Sequence, residues 1–132
     1  MDRTKLRTIL YVDDEPDIRQ VVQLALGLAG NLNVHTCDSG EKALAELDKL
    51  KPDLILLDVM MPGMDGPTTL ARIRTHPQLA HIPVAFMTAK AMPQEVARFR
   101  QLDAAGIIAK PFDPMQLAQQ VFTLWEGLSD EQ

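Results

Sequence analysis

The sequence predicts an α/β fold in which a parallel sheet carries helices on both faces, and three observations lead there. Five short apolar segments recur along the chain, a stretch of helical periodicity follows each of them, and four of the five are largely apolar throughout rather than alternating. Continuous apolar runs suit strands covered on both faces. Strand and helix patterns that alternate this way join parallel strands through right-handed crossovers.

The predicted strands are Thr8–Val12, Asn33–Cys37, Leu54–Asp58, 83–88 and Gly106–Ala109. The second, NVHTC, is the most polar and suits a sheet edge. The first helix is predicted from Ile18, Val21, Val22, Ala25 and Leu26, which follow the i, i+3, i+4, i+7, i+8 rule. Ala43, Leu44, Leu47 and Leu50 mark the second helix, and Leu70 and Ile73 the third, which is expected to open at Asp65 with Pro67 in its first turn. Val96 and Phe99 belong to a fourth helix after Pro93, and Leu117, Val121, Leu124, Trp125 and Leu128 to the fifth. The first few residues and the polar tail Ser129–Gln132 are expected to be loose.

Composition sets the outer bounds. A chain of 132 residues with no composition break reads as one domain, residues 1–132 with a core at about 8–128 and no output domain. It is long enough to bury a core without staples. Hydrophobic residues make up 46% and charged residues 23%, as in ordinary globular proteins. No apolar run approaches the roughly 18 residues of a membrane span, and MDRTKLRTIL has no apolar signal core, so the expectation is a cytoplasmic protein that does not engage membrane. A lone Cys37 fits a reducing compartment and reads as a small buried hydrophobe. The net charge of −5 argues against direct binding of nucleic acid through a basic face.

The chemistry lies at the strand ends, where open parallel sheets bind their ligands. The first strand runs into Asp13-Asp14, the third ends in Asp58, the fourth in Thr88, and Lys110-Pro111 follows the fifth. Each has an ordinary explanation taken singly: an acidic helix start, a loop acid, a helix cap, a solvated lysine. Their joint placement at four strand ends points to one site. Crowded carboxylates repel one another, and Mg²⁺, which favours carboxylate, water and phosphate oxygens, holds them ionised. A lysine supplies a mobile positive charge for a phosphate oxygen. Metal, lysine and hydroxyl around a central carboxylate describe phosphoryl transfer onto Asp58 as an aspartyl phosphate. His35, His76 and His81 show no metal-like spacing and read as a strand residue and two loop residues.

The stretches YVDDEPD (11–17), SGEKAL (39–44), PDLILLDVMMPGMDG (52–66), IPVAFMTAK (82–90) and AKPFD (109–113) resemble, in order and spacing, the receiver domain of bacterial response regulators in two-component signalling, chemotaxis-type single receivers included. The resemblance implies a flavodoxin-like, doubly wound, five-stranded parallel sheet in the order 2-1-3-4-5 with five helices. It implies a phosphoprotein that takes its phosphoryl group on Asp58 from a sensor histidine kinase or a histidine phosphotransfer protein. Asp14 and Asp58, with the backbone carbonyl of Met60, would bind Mg²⁺ directly, and Asp13 mainly through water. Lys110 would contact the phosphoryl group, Thr88 would hydrogen-bond it, and the Lys110–Pro111 bond would be cis. Such a chain is a signalling module, monomeric or weakly dimeric on phosphorylation. It catalyses only its own phosphorylation and dephosphorylation, and passes the signal to a downstream protein or along a phosphorelay.

Two positions depart from the family pattern. Ile107 stands where many receivers carry a switch Tyr or Phe, and Asp103 where a Gly often ends the fourth helix. Rival readings lack their residues. A haloacid-dehalogenase-type phosphohydrolase needs an acid at Met60, a flavin protein a Ser/Thr-rich loop after the first strand, and a pseudo-receiver would not keep all of Asp13, Asp14, Asp58, Thr88 and Lys110.

Overall fold

The computed structural model describes the backbone of residues 5–130 and the side chains of 5–128. Strands β1 (Thr8–Val12), β2 (Asn33–Cys37), β3 (Leu54–Asp58), β4 (Val84–Thr88) and β5 (Gly106–Ala109) form one sheet in the order β2-β1-β3-β4-β5. All neighbouring pairs are parallel. The helices are α1 (Pro16–Leu24), α2 (Gly40–Leu50), α3 (Gly66–Arg74), α4 (Pro93–Gln101) and α5 (Pro114–Asp130).

Hydrophobic alternation across the sheet makes two cores. Leu10, Val12, Ile55, Leu57, Val84 and Phe86 face Leu47, Leu70, Ile73 and Phe99, contributed by α2, α3 and α4. Ile9, Tyr11, Leu54, Leu56, Ala85, Met87 and Ile108 face Val22, Leu117, Val121 and Trp125, from α1 and α5. The helices are not held equally. α5 buries Leu117, Val121 and Trp125, whereas α4 buries only Phe99, whose ring meets Phe86 edge-on with centroids 5.0 Å apart. A fully buried Leu or Phe contributes about 1.5–3 kcal/mol, so α4 is anchored much more lightly than α5.

The structure differs from the sequence expectation in four places. β4 opens at Val84 rather than one residue earlier; Pro83 has no N–H to pair, and only its carbonyl joins the ladder, accepting from Ile55 N–H at 3.0 Å. α1 continues into a π-helical turn, Ala25–Ala29, where Gly30 N–H and Leu32 N–H both donate to the Leu26 carbonyl. Val21 is not core: at 100° per residue it lies well off the Val22–Leu26 line, and it is 38% exposed. α5 runs on through Asp130, two residues into the tail expected to be loose. The remaining expected loose ends, residues 1–4 and 131–132, lie outside the described residues.

α2 and α3 carry side-chain caps, Ser39 accepting from Lys42 N–H and Asp65 from Thr68 N–H, while α1 and α4 open on a proline without one. Asp103, just past α4, holds the left-handed conformation with φ of 71°. Its carboxylate accepts from Arg74 Nε at 3.1 Å, a bond that the more usual glycine could not offer.

Candidate functional site

The parallel register brings the ends of β1, β3 and β5 to one rim. Asp13, Asp14 and Asp58 each place a carboxylate oxygen within 4.8 Å of the others. Lys110, past the end of β5, reaches across the rim, with Nζ 2.8 Å from Asp13 Oδ2 and 3.0 Å from Asp58 Oδ1. The Lys110–Pro111 peptide is cis. Asp13 and Asp58 are buried, Asp14 half-buried.

Backbone geometry delivers Asp58. Asp58 pairs in register with Met87, and Val59 N–H continues the ladder to the Met87 carbonyl at 3.2 Å. The chain then turns back so closely that a Cβ on Gly66 would stand 2.6 Å from the Asp58 carbonyl oxygen and 2.9 Å from Val59 Cα. Glycine is required there by space, so α3 starts directly against the end of β3.

Asp13 is fastened on every side. Its Oδ1 accepts from Glu15 N–H at 2.9 Å, its Oδ2 from Lys110 and from the Tyr11 hydroxyl, and its carbonyl from Arg19 Nη1 at 2.7 Å. No side-chain hydrogen bond holds Asp14 among the described residues. Thr88, buried at the end of β4, accepts from Lys90 N–H at 3.0 Å through its hydroxyl. Ile107 pairs with Phe86 and packs into the core beneath α4, so it lies behind the rim and not on it. Met60 follows the strand end and is 71% exposed.

The electrostatics show a shortage of positive charge. Burial, reinforced by Asp13 and Asp14, pushes the Asp58 carboxyl up from 3.8 to about 6, even though Lys110 pulls the other way. Burial opposes the charge on Lys110, but Asp13 and Asp58 outweigh it and raise its pKa above the ordinary value. Burial and then the Asp13 carboxylate push the Tyr11 phenol far above its ordinary range, so it stays a donor. Three carboxylates against one ammonium leave room for two more positive charges. A donor set of hard oxygens with that deficit fits Mg²⁺.

Sequence reasoning placed Asp13, Asp14, Asp58 and Lys110 together, and the structure brings them together. It missed Tyr11, Arg19 and Gly66. The signal for Tyr11 was present, because residues two apart on a strand share a face. Cys37 is buried as expected, but its thiol also donates to Glu46 Oε2 at 2.7 Å, and burial, with that carboxylate, lifts it to about 12.

The sheet and its acidic rim define a doubly wound α/β protein with a cluster of acids that could hold a cation at its edge. The family follows from comparison. A model of the response regulator receiver domain matches residues 9–122, and the chain belongs to that family. It is 35% identical over 120 residues to chemotaxis protein CheY-3 of Vibrio cholerae serotype O1, covering 91% of this chain and 92% of that one. It is 36% identical over 116 residues to a probable cyclic di-GMP phosphodiesterase of the same species, covering 88% of this chain and 26% of that protein. Response regulator Rre1 of Synechocystis is 34% identical and is spanned over 48% of its length. The chain therefore spans half or less of two of these curated relatives. Among solved structures, the chemotaxis response regulator CheY4 of Vibrio cholerae superposes with a TM-score of 0.83 at 32% identity, over 91% of this chain and 99% of that one. The family binds Mg²⁺ at an acidic pocket, the place taken here by Asp13, Asp14 and Asp58. No helix among the described residues is long and apolar enough to cross a membrane.

Proposed function

We propose that this chain, as one receiver unit over residues 1–132, accepts a phosphoryl group on Asp58 from a histidine kinase or a histidine phosphotransfer protein. The observation that carries the reading is Asp58 itself: a buried carboxylate at a strand end, 3.0 Å from a lysine and still raised to about 6. A carboxylate is placed at that cost where its charge is to be used.

An Asp58 oxygen attacks phosphorus in line; the new O–P bond forms as the P–N bond to the donor imidazole breaks, and the imidazole leaves with the electron pair. Lys110 follows the charge onto a phosphoryl oxygen, and Thr88 offers its hydroxyl to another. Asp14 and Asp58, with the Met60 carbonyl, would hold Mg²⁺, and Asp13 would act on it through water. The metal, when bound, neutralises the phosphoryl oxygens and the crowded carboxylates. The signal then passes through α4, β5 and α5 to a downstream protein, with Thr88 and Ile107 repacking.

Incubation with a small phosphodonor and Mg²⁺, followed by intact-mass measurement, tests this reading. Wild type is expected to gain one phosphoryl group and Asp58→Asn none. Equal labelling of the two would overturn the assignment.

A further inference from the structure

The Tyr11 hydroxyl belongs to no role so far described. Tyr11 lies on β1, fully buried, two residues before Asp13 and on the same face of the sheet. Its ring fills the core under α1 and α5, a task that Phe would perform equally well. A phenol in such a place needs a partner for its hydroxyl, and the partner is Asp13 Oδ2, the same oxygen that Lys110 holds at 2.8 Å.

That sharing matters because Lys110 is divided between two carboxylates, Asp13 and Asp58. On the reading of Asp58 as phosphoacceptor, on which this inference rests, Lys110 must turn toward the phosphoryl group. Asp13 then loses a charged donor at the moment that the single negative charge of Asp58 becomes the roughly two of an aspartyl phosphate beside it. A carboxylate with no solvent exposure that loses its partner is costly. Glu15 N–H holds only the other oxygen, Oδ1. Of the protein's own donors, Tyr11 alone remains on Oδ2.

We propose that Tyr11 is a positioning residue that releases the lysine. Its hydroxyl keeps Asp13 hydrogen-bonded and fixed in rotation, so that Lys110 can leave Asp13 for the phosphoryl oxygen at low cost. Without the hydroxyl, Asp13 depends on Lys110 and competes with the phosphoryl group for it. The phosphorylated state is then weakened more than the metal-bound one.

Two measurements test this. Tyr11 is the single tyrosine of the chain, so protein labelled with ¹³C at the tyrosine ζ carbon gives one resonance. In wild type that resonance is expected to move when beryllofluoride, a phosphoryl mimic, is added to the Mg²⁺-loaded protein, because the hydroxyl becomes the only protein donor left on Oδ2. A resonance that stays still at that step overturns the proposal, and this holds whether or not any variant folds. In Tyr11→Phe, beryllofluoride is expected to bind about tenfold more weakly, the loss of one hydrogen bond to a charged group. Mg²⁺ affinity, measured by calorimetry, should stay within about threefold, since Asp14 and Asp58 are untouched. Equal beryllofluoride affinity in the two proteins overturns the proposal. So does an equal loss of Mg²⁺ and beryllofluoride affinity, which would make Tyr11 a support of the acid cluster and nothing more. Failure of the underlying reading looks different: wild type and Asp58→Asn would then respond alike to beryllofluoride.

Discussion

The two rims of the sheet carry the same residue types and use them in opposite ways. At the amino end, Asp53 precedes β3 and its Oδ2 accepts from Arg7 N–H and Thr8 N–H, both at 3.0 Å. Asp103 takes Arg74 Nε, and Arg74 Nη1 also caps the carbonyls of Ala80 and Ile82 at 3.1 and 2.8 Å. Asp53 and Arg74 are each matched to backbone groups that the chain leaves open there. At the carboxyl end three acids cluster, one lysine bridges two of them, and Asp58 sits at about 6 despite it. An acid that ties down the backbone is satisfied by the chain. The acids of the carboxyl rim are left in deficit, and that deficit suits a bound cation.

The comparison breaks most visibly in stability. The raised carboxyl of Asp58 binds a proton more tightly folded than unfolded. The stability this contributes is therefore present below its ordinary value of 3.8 and is lost as pH rises through about 6. The full difference corresponds to about 3 kcal/mol as an upper bound. Without metal at pH 7, Asp58→Asn is expected to be more stable than wild type by roughly 2 kcal/mol. The gap should close toward pH 4 and narrow on adding Mg²⁺, which stabilises wild type by mass action. Asp53→Ala should do the reverse, costing about 1–2 kcal/mol at pH 7 through two lost hydrogen bonds to backbone N–H groups. Urea unfolding of the three proteins at several pH values checks both signs, and an Asp58→Asn protein less stable than wild type at pH 7 would remove the distinction between the rims.

How far the sequence carried this contrast depends on the range of the interaction. Strand limits are local, and the continuous runs TILYV, LILLD and VAFMT are legible because each strand is apolar on both faces. The acids that end β1 and β3 are legible for the same reason, since a carboxylate stands out at the end of such a run. The strand order was not readable from the runs themselves and came with the family resemblance. Gly66 is invisible in sequence because its constraint is the Asp58 carbonyl beside it. Tyr11 reads as one more core aromatic until its hydroxyl is seen on Asp13. The π-turn after α1 is a backbone detail that a 3.6-residue period smooths over. The mate of Asp103, Arg74, lies far away in sequence and is found only once β4 and α4 are packed.

A smaller effect is expected where, on the proposed reading, the carboxyl rim hands its signal on. α4 has one buried residue, no side-chain cap at Met92, and an exposed approach from Ala89 to Met92. Few buried contacts mean a low cost of local opening. Repacking Ile107, which has neither ring nor hydroxyl, gains few contacts. The coupling should then be about 1–2 kcal/mol, at the modest end of allosteric energies. Amide exchange with and without beryllofluoride should show protection changing by roughly tenfold across residues 89–102. The turn from His76 to Ile82, held by Arg74 at the opposite rim, should not change. Changes confined to α1 and α2 would place the output face elsewhere.

The smallest effect sharpens the amino-rim side of the comparison. Asp103 combines two opposed terms. Its φ of 71° costs an L residue strain that glycine would not carry. Its carboxylate gains Arg74, but its side chain is 81% exposed, and exposed pairs contribute only about 0.2–1 kcal/mol. Asp103→Gly relieves the strain, loses the pair and adds backbone freedom to the unfolded chain, which costs about 0.5–1 kcal/mol. The net change is expected within about 0.5 kcal/mol of zero. Asp103→Ala keeps the strain and loses the pair, so it should be the worse substitution, by up to about 1 kcal/mol. Denaturation midpoints of the two variants decide the order. If Asp103→Gly proves as damaging as Asp53→Ala, Arg74 depends on Asp103 to hold the carbonyls of Ala80 and Ile82, and the exposed acid is as much a staple of that rim as the half-buried one.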